Sequence, residues 1–319
     1  MMKAALYDRF GGPEVLYVGR IPRPEPKTGE VLVRVRAVSV NGGEAAGRSG
    51  KVPLITGRRF PQRVGLDLAG EVASLGPAVT DLTVGDRVWG VLGLASGFGS
   101  AAEYVTVPAD RLGRIPDGLG PVRAAALLTG GTTAITALRD KARLRRGESL
   151  LVRGAAGGVG SVAVQLGRAL GAEVTGLARA ANLDFVRDGL GAHHAVDHRA
   201  VRPDQLGRFD VVLDTVGTDL SDYRKLLVPG GRMVTVALDH ERVAATLGII
   251  AASAVHGRSR VRFFSGNPKR PLLDDLARHT AEGLLRPPVD TVFPLEEISA
   301  AHQALANGGV RGKYVVRIA

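Results

Sequence analysis

The residues best placed to do chemistry in this chain are glycines. Ala155, Ala156, Gly157, Gly158, Val159 and Gly160 lie between an apolar run, SLLVRG, and a helical pattern, SVAVQLGRAL. This is the G-x-G-x-x-G spacing with alanine in the first position. Glycines there let the backbone turn tightly and approach a pyrophosphate. The helix that follows offers unpaired N–H groups and the positive end of its dipole to that anion. The same residues would also serve a plain structural turn, but the strand–turn–helix–strand order through GAEVTGLAR favours dinucleotide binding. An NAD site sets an acid about 20 residues on, at the end of the second strand, to accept from the ribose 2′-hydroxyl. Here Arg179 stands at that place, with no acid between Glu173 and Asp184. A planar guanidinium suits a 2′-phosphate, so the expected cofactor is NADPH.

Several chemistries are excluded by composition. Cysteine is absent, which removes disulfides, thiolate nucleophiles, thiolate zinc sites and iron–sulfur clusters together. No histidine precedes His193. The net charge is +11, carried by 42 basic residues of which seven are lysine. The densest groups are Arg58-Arg59 with Arg63, Arg143-Leu144-Arg145-Arg146, and the alternating Arg258, Arg260 and Arg262. With aromatics at 4% there is little surface on which bases could stack, which argues against nucleic acid. An anionic cofactor or substrate accounts better for part of the charge. Apolar runs fall short of the ~20 residues that span a bilayer, and the first residues lack the apolar core of a secretory signal. A soluble, cytoplasmic protein with no membrane partner is expected.

The elements that must hold these residues come in two textures. Residues 1–122 carry short β-rich runs (VLVRVRAVSV, DLAGEVASLG, AEYVTV) broken by Gly, Pro and Asp, the pattern of an irregular antiparallel domain. Over 123–260 helical stretches alternate with buried strand candidates, FDVVLDTVG and GRMVTVAL among them, fitting a parallel sheet covered by helices. The tail, 261–319, reads as two helices and a last strand, YVVRIA. The expected class is α/β.

Asn41 in SVNGGEAAGRSG, Gly65-Leu-Asp67-Leu-Ala69-Gly70-Glu71-Val72, Gly85-Asp86-Arg87-Val88 and Ala102-Glu103-Tyr104-Val105 follow one another along the first part. Thr133-Ala134, the AAGGVG turn, Asp214-Thr-Val-Gly217, Gly230-Gly231 and Gly312-Lys313 complete the series. In this order and spacing the chain resembles the medium-chain dehydrogenases/reductases, in their zinc-independent quinone oxidoreductase-like branch, over essentially its whole length. The resemblance implies a Rossmann doubly wound parallel sheet (123–260) and a GroES-like β-rich catalytic domain (1–122 with 261–319). It also implies an active site in the cleft between them and a homodimer through the edge of the nucleotide sheet, where TLGIIAASAV could lie.

By position, the resemblance sets Asn41 and Thr133 beside the nicotinamide and its ribose as the catalytic pair. Ala156, Gly157, Gly158, Val159 and Gly160 would hold the pyrophosphate, and Arg179, Asn182 and His198 the adenosine phosphate. Lys313 would lie near the cofactor, while Asp67, Glu71 and Asp86 read as scaffold. Zinc-dependent relatives need Cys, His and Glu ligands that this sequence cannot assemble, so no metal is expected. Two positions where relatives often carry pocket rings are Ala46 and Ala101, and Glu44 departs from the usual NPVD-like stretch. The implied pocket is enlarged, with Glu44 facing the gap and Arg48 able to meet an acidic substrate. The expected activity is NADPH-dependent reduction of a quinone or activated alkene (enone), a small molecule of bulky or acidic kind. A pathway-specific enoyl reductase acting on a polyketide or acyl intermediate is the enzymatic alternative. An NADPH-binding sensor or RNA-binding protein with little catalysis is the alternative from another class.

Overall fold

The computed structural model describes residues 1–52, 56–93, 97–239, 243–255 and 260–318; Arg258 of the last basic group lies outside them. The chain divides into two compact units: Met1–Thr129 with Asn267–Gly283 and Pro287–Ala319, and Gly130–Gly266 with Leu284–Arg286.

The second unit is built on six parallel strands ordered His194–Asp197, Glu173–Ala178, Ser149–Arg153, Phe209–Asp214, Leu227–Thr235, Val261–Phe263. Numbered within the unit the order is 3-2-1-4-5-6, the doubly wound arrangement, and the reversal falls between Ser149–Arg153 and Phe209–Asp214. Leu150, Leu151, Val152, Val211, Val212 and Leu213 are wholly buried, as a sheet covered on both faces requires. The Gly158–Ala169 helix buries Val162, Ala163, Val164 and Leu166. At ~25 cal/mol per Å² of apolar surface, each buried valine or leucine here contributes about 1.5–3 kcal/mol, so the sheet's core fixes the strand ends from which the functional turns leave.

The first unit is antiparallel for the most part. Its larger sheet runs Val289–Pro294, Lys313–Arg317, Glu30–Ser39, Asp67–Leu75, Arg87–Val91, Leu112–Arg114, with Tyr104–Pro108 also paired to Glu30–Ser39. Met2–Tyr7 pairs with Tyr17–Ile21 and Gln62–Arg63. The tail returns here: Val315 pairs with Ser39 and Val316 with Val38, which carries Lys313 to the carboxyl end of Glu30–Ser39. Within this unit the short Gly42–Arg48 helix begins at Asn41.

The unit boundaries fall at 129/130 and 266/267, where sequence texture had set 122 and 261. The helical period does begin where the texture changes, in Pro121–Ile135, but that helix belongs to the first unit as far as Thr129. Val261–Phe263 pairs in parallel with Met233–Thr235 and so stays with the second unit's sheet.

Candidate active site

In the first unit a buried polar cluster forms where Glu30–Ser39, Asp67–Leu75 and Lys313–Arg317 meet. Asp67 has no exposed surface; its carboxylate accepts from the Ser39 amide at 2.7 Å, the Ser39 hydroxyl at 2.6 Å and the Thr129 hydroxyl. Asn41 is also interior. Its Nδ2 donates to Ser39 O at 2.9 Å, to Ser39 Oγ at 3.2 Å and to Asp67 Oδ2 at 3.3 Å, while its Oδ1 accepts from Lys313 Nζ. Both ends of the Asn41 amide are therefore engaged within the protein. Lys313 is buried, donating also to Val40 O at 3.2 Å. Burial lowers its pKa, against the opposing pull of Asp67 and Glu44. Lys313 thus reads as a buried group that orients Asn41.

Glu44 does not face a gap. It is 1% exposed, and its carboxyl accepts from the Asn41 amide at 2.7 Å and the Gly65 amide at 2.5 Å. Burial pushes its pKa up to about 8, the two backbone donors and Lys313 opposing. An N-x-x-E spacing at a helix start is a capping-box signal, so this bond was available in the sequence. Arg48 does not meet substrate either. It is 4% exposed and donates from Nη1 to Gly11 O at 2.8 Å, because the Gly42–Arg48 helix turns it into the interior. Arg58 and Arg59 are exposed and Arg63 half-buried.

Ala46 and Ala101 are both interior, and Ala101 packs in the main core of this unit. One ring from elsewhere crowds the helix that carries Ala46, and three others pack on one another in the same unit. A Cβ on Gly47 would stand 2.5 Å from the Phe98 ring, and Phe60 packs edge-on against Tyr7 and Phe10 at 6.0 and 5.1 Å between centroids. Glu71 pairs with Arg36 at 3.1 Å between two strands, and Asp86, in the turn before Arg87–Val91, pairs with Arg114 at 2.7 Å.

In the second unit Gly154, at φ +71°, leaves the central strand, and the turn is closed by the Gly157 amide donating to Gly154 O at 3.0 Å. A Cβ on Gly160 would lie 2.1 Å from Gly154 O and 2.8 Å from Ala155 Cα, so only glycine fits there. Gly157 caps the Gly158–Ala169 helix with no side chain over the helix start. The amides at the start of this helix, Gly158 to Gly160, point out of a turn narrow enough to fit a pyrophosphate. Ala156 and Val159 lie in the same turn, and Thr133, half-buried, lies in this unit's part of the Pro121–Ile135 helix. Arg179 follows Glu173–Ala178, exposed, and its carbonyl accepts from the Asn182 amide at 2.8 Å. Ala178 pairs with Asp197, and the His198 amide donates to Ala178 O at 3.1 Å. The backbone thus sets Arg179 and His198 side by side at the ends of neighbouring strands, with Asn182 one short turn away. A nicotinamide dinucleotide phosphate would meet donors there.

Among the described residues no group of three His, Cys, Asp or Glu side chains stands close enough to hold a metal ion, and no helix is long and apolar enough to cross a membrane. A unit with a 3-2-1-4-5-6 sheet and a glycine cradle, and a second unit that is β-rich, define a protein of the two-unit dinucleotide-fold class.

Comparison with known proteins narrows that class. Residues 27–117 match the family model described as alcohol dehydrogenase GroES-like domain, and residues 190–316 the one described as zinc-binding dehydrogenase. The quinone oxidoreductase of Sus scrofa is 32% identical over 99% of this chain and 98% of its own length. The quinone oxidoreductase structure from Coxiella burnetii superposes with a TM-score of 0.89 at 31% identity, covering 100% of this chain and 99% of that one. A mycocerosic acid synthase-like polyketide synthase of Mycobacterium tuberculosis is 33% identical over 97% of this chain, which spans only 15% of that protein. The chain belongs to the medium-chain dehydrogenase/reductase superfamily, in its quinone oxidoreductase-like branch.

Proposed function

We propose that this chain is an NADPH-dependent reductase of quinones or activated alkenes. The observation that carries the reading is Arg179, a cation at the strand end beside a turn that admits no Cβ at Gly160. A reduced nicotinamide dinucleotide held there by its pyrophosphate would supply hydride for an electrophilic carbon. The amides of residues 158–160 and the helix dipole hold the pyrophosphate, with Gly157 turning the chain ahead of them. Arg179, with Asn182 and His198 beside it, takes the 2′-phosphate. The family model's description as zinc-binding does not suit the donor set here, since the chain has no cysteine and no histidine before His193. A substrate whose carbonyl already activates it, a quinone or a C=C–C=O, meets that limit. Negative charge gathers on its carbonyl oxygen, where the Thr133 hydroxyl or a backbone N–H donates. The Asn41 side-chain amide, spent on Ser39, Asp67 and Lys313, has no donor left to give. Water delivers the proton to the α-carbon.

A second reading, an enoyl reductase acting on acyl thioesters, draws on the match to a polyketide synthase over nearly the whole of this chain. One screen tests both. NADPH absorbance is followed with benzoquinone, multi-ring quinones, enones and enoyl thioesters. Turnover of quinones or enones supports the first reading, exclusive turnover of thioesters the second, and no NADPH oxidation with any of them refutes both.

A further inference from the structure

Ser149–Arg153 and Phe209–Asp214 are the two strands between which the parallel sheet reverses its order, the place where open α/β sheets accept ligands. Their last residues, Arg153 and Asp214, stand opposite each other in register. The Asp214 side chain is wholly buried and the Arg153 side chain 7% exposed, with Nη1 2.6 Å from Oδ1. The same Nη1 donates to Thr218 O at 2.6 Å, and the guanidinium lies 3.6 Å from the centre of the Tyr223 ring.

The bonds of this pair reach well beyond it. Asp214 Oδ2 accepts from the Gly217 amide at 2.9 Å and from the Thr235 hydroxyl at 2.8 Å, and Oδ1 from the Val216 amide at 3.3 Å. The Thr215 hydroxyl donates back to Arg153 O at 2.7 Å, and a Cβ on Gly154 would sit 2.4 Å from that hydroxyl. Gly217, at φ +91°, leaves so little room that a Cβ would meet the backbone of Ala237 and Leu238 within 3.0 Å. Three turns are tied together in this way: the one opened by Gly154, the one at 215–218, and the one after Leu227–Thr235. All three leave the carboxyl ends of adjacent strands.

A buried charge pair is a poor source of stability in itself, because desolvation offsets most of its attraction and apolar residues of equal volume often serve as well. Its bonds here go to Thr218 O, the Val216 and Gly217 amides and the Thr235 hydroxyl, and the turn at 215–218 that they fix returns a bond from Thr215 to Arg153 O, directly ahead of Gly154. We propose that Arg153 and Asp214 are positioning residues for the nucleotide, holding the Gly154–Gly160 turn in its anion-receiving shape before ligand arrives. The inference rests on the reading of that turn as a nicotinamide nucleotide site, and its test is arranged so that the two can fail separately.

The test compares the parent with the double variant Arg153→Met/Asp214→Asn, which removes both charges, and with Arg153→Lys, which keeps the charge but loses the guanidinium fork. Thermal midpoint, NADPH dissociation constant and hydrogen exchange of the ligand-free protein at residues 154–160 are measured on each. The double variant should unfold within a few degrees of the parent. Its NADPH Kd should rise by roughly tenfold or more, because the nucleotide must then order the turn as it binds. The amides of 154–160 should exchange faster by a similar factor, and Arg153→Lys should fall between. A double variant with unchanged Kd and unchanged exchange overturns the proposal, leaving the pair a packing element. If the double variant does not fold, Arg153→Lys decides: weaker binding at an unchanged midpoint supports the proposal, and unchanged binding overturns it. A parent that binds no nicotinamide nucleotide overturns the functional reading, and the exchange comparison then judges the brace by itself.

Discussion

Glu44 offers a sharp test of how the first unit holds its polar cluster. Its carboxyl is enclosed, and burial raises its pKa to about 8 from an ordinary 4.5. A carboxyl whose folded pKa is raised keeps its proton in the folded protein where the unfolded chain has lost it. Its contribution to stability is therefore complete below about pH 4.5 and is lost as pH rises toward 8. The slope is about 1.4 kcal/mol per pH unit, so between pH 5.5 and 7.5 the loss is roughly 3 kcal/mol. Glu44→Gln removes that titration. It also lets only one oxygen accept, so one of the bonds from Asn41 and Gly65 is lost, costing about 1–3 kcal/mol at low pH. Urea unfolding of parent and variant across pH 5.5–7.5 isolates the term, since every other titrating group is shared. The parent should lose stability faster than the variant, the two curves converging as pH rises. Parallel curves would refute the protonated, enclosed carboxyl.

Four further outcomes follow from the structure. His302 is 1% exposed, and burial with Arg48 nearby lowers its pKa to about 3, so its stabilising contribution is complete above pH 6.5 and is lost as pH falls from there. His302→Leu should accordingly show a shallower loss of stability between pH 6.5 and 4.5, and an unchanged profile would contradict the assignment. Gly160→Ala, whose Cβ would sit 2.1 Å from Gly154 O, should weaken NADPH binding by at least about tenfold in a titration while the first unit's unfolding is unaffected. Ala46→Tyr should shift preference from multi-ring quinones toward benzoquinone in kcat/KM without altering NADPH affinity; an untouched size preference removes Ala46 from the pocket. Activity should survive dialysis against a chelator, and elemental analysis should find less than one equivalent of zinc.

The parts of this molecule legible in the sequence are those whose chemistry is local. The 155–160 turn is legible because the backbone alone demands glycine at fixed spacing. Arg179 is legible because it ends a strand a countable distance beyond that turn. Glu44 lies three residues after Asn41, so even its cap bond could have been read. What escaped depends on distant partners. Lys313 reaches Asn41 across 272 residues of chain only because the last strand pairs with Glu30–Ser39. Arg48 reads from sequence as a cation able to meet an acidic substrate, and only the packing of its short helix turns it inward onto Gly11. The Arg153–Asp214 pair spans 61 residues and needs the strand order of the sheet, which no window of sequence contains.

The central claim, that a cation selects the phosphorylated nucleotide, is tested most directly by one titration series. NADPH and NADH dissociation constants are measured for the parent and for Arg179→Ala. The parent should bind NADPH more tightly, and the variant should lose roughly tenfold in NADPH affinity, the low end for a charge-assisted bond because Arg179 is exposed. NADH binding should be unchanged. Equal affinity of the parent for the two nucleotides would contradict the account.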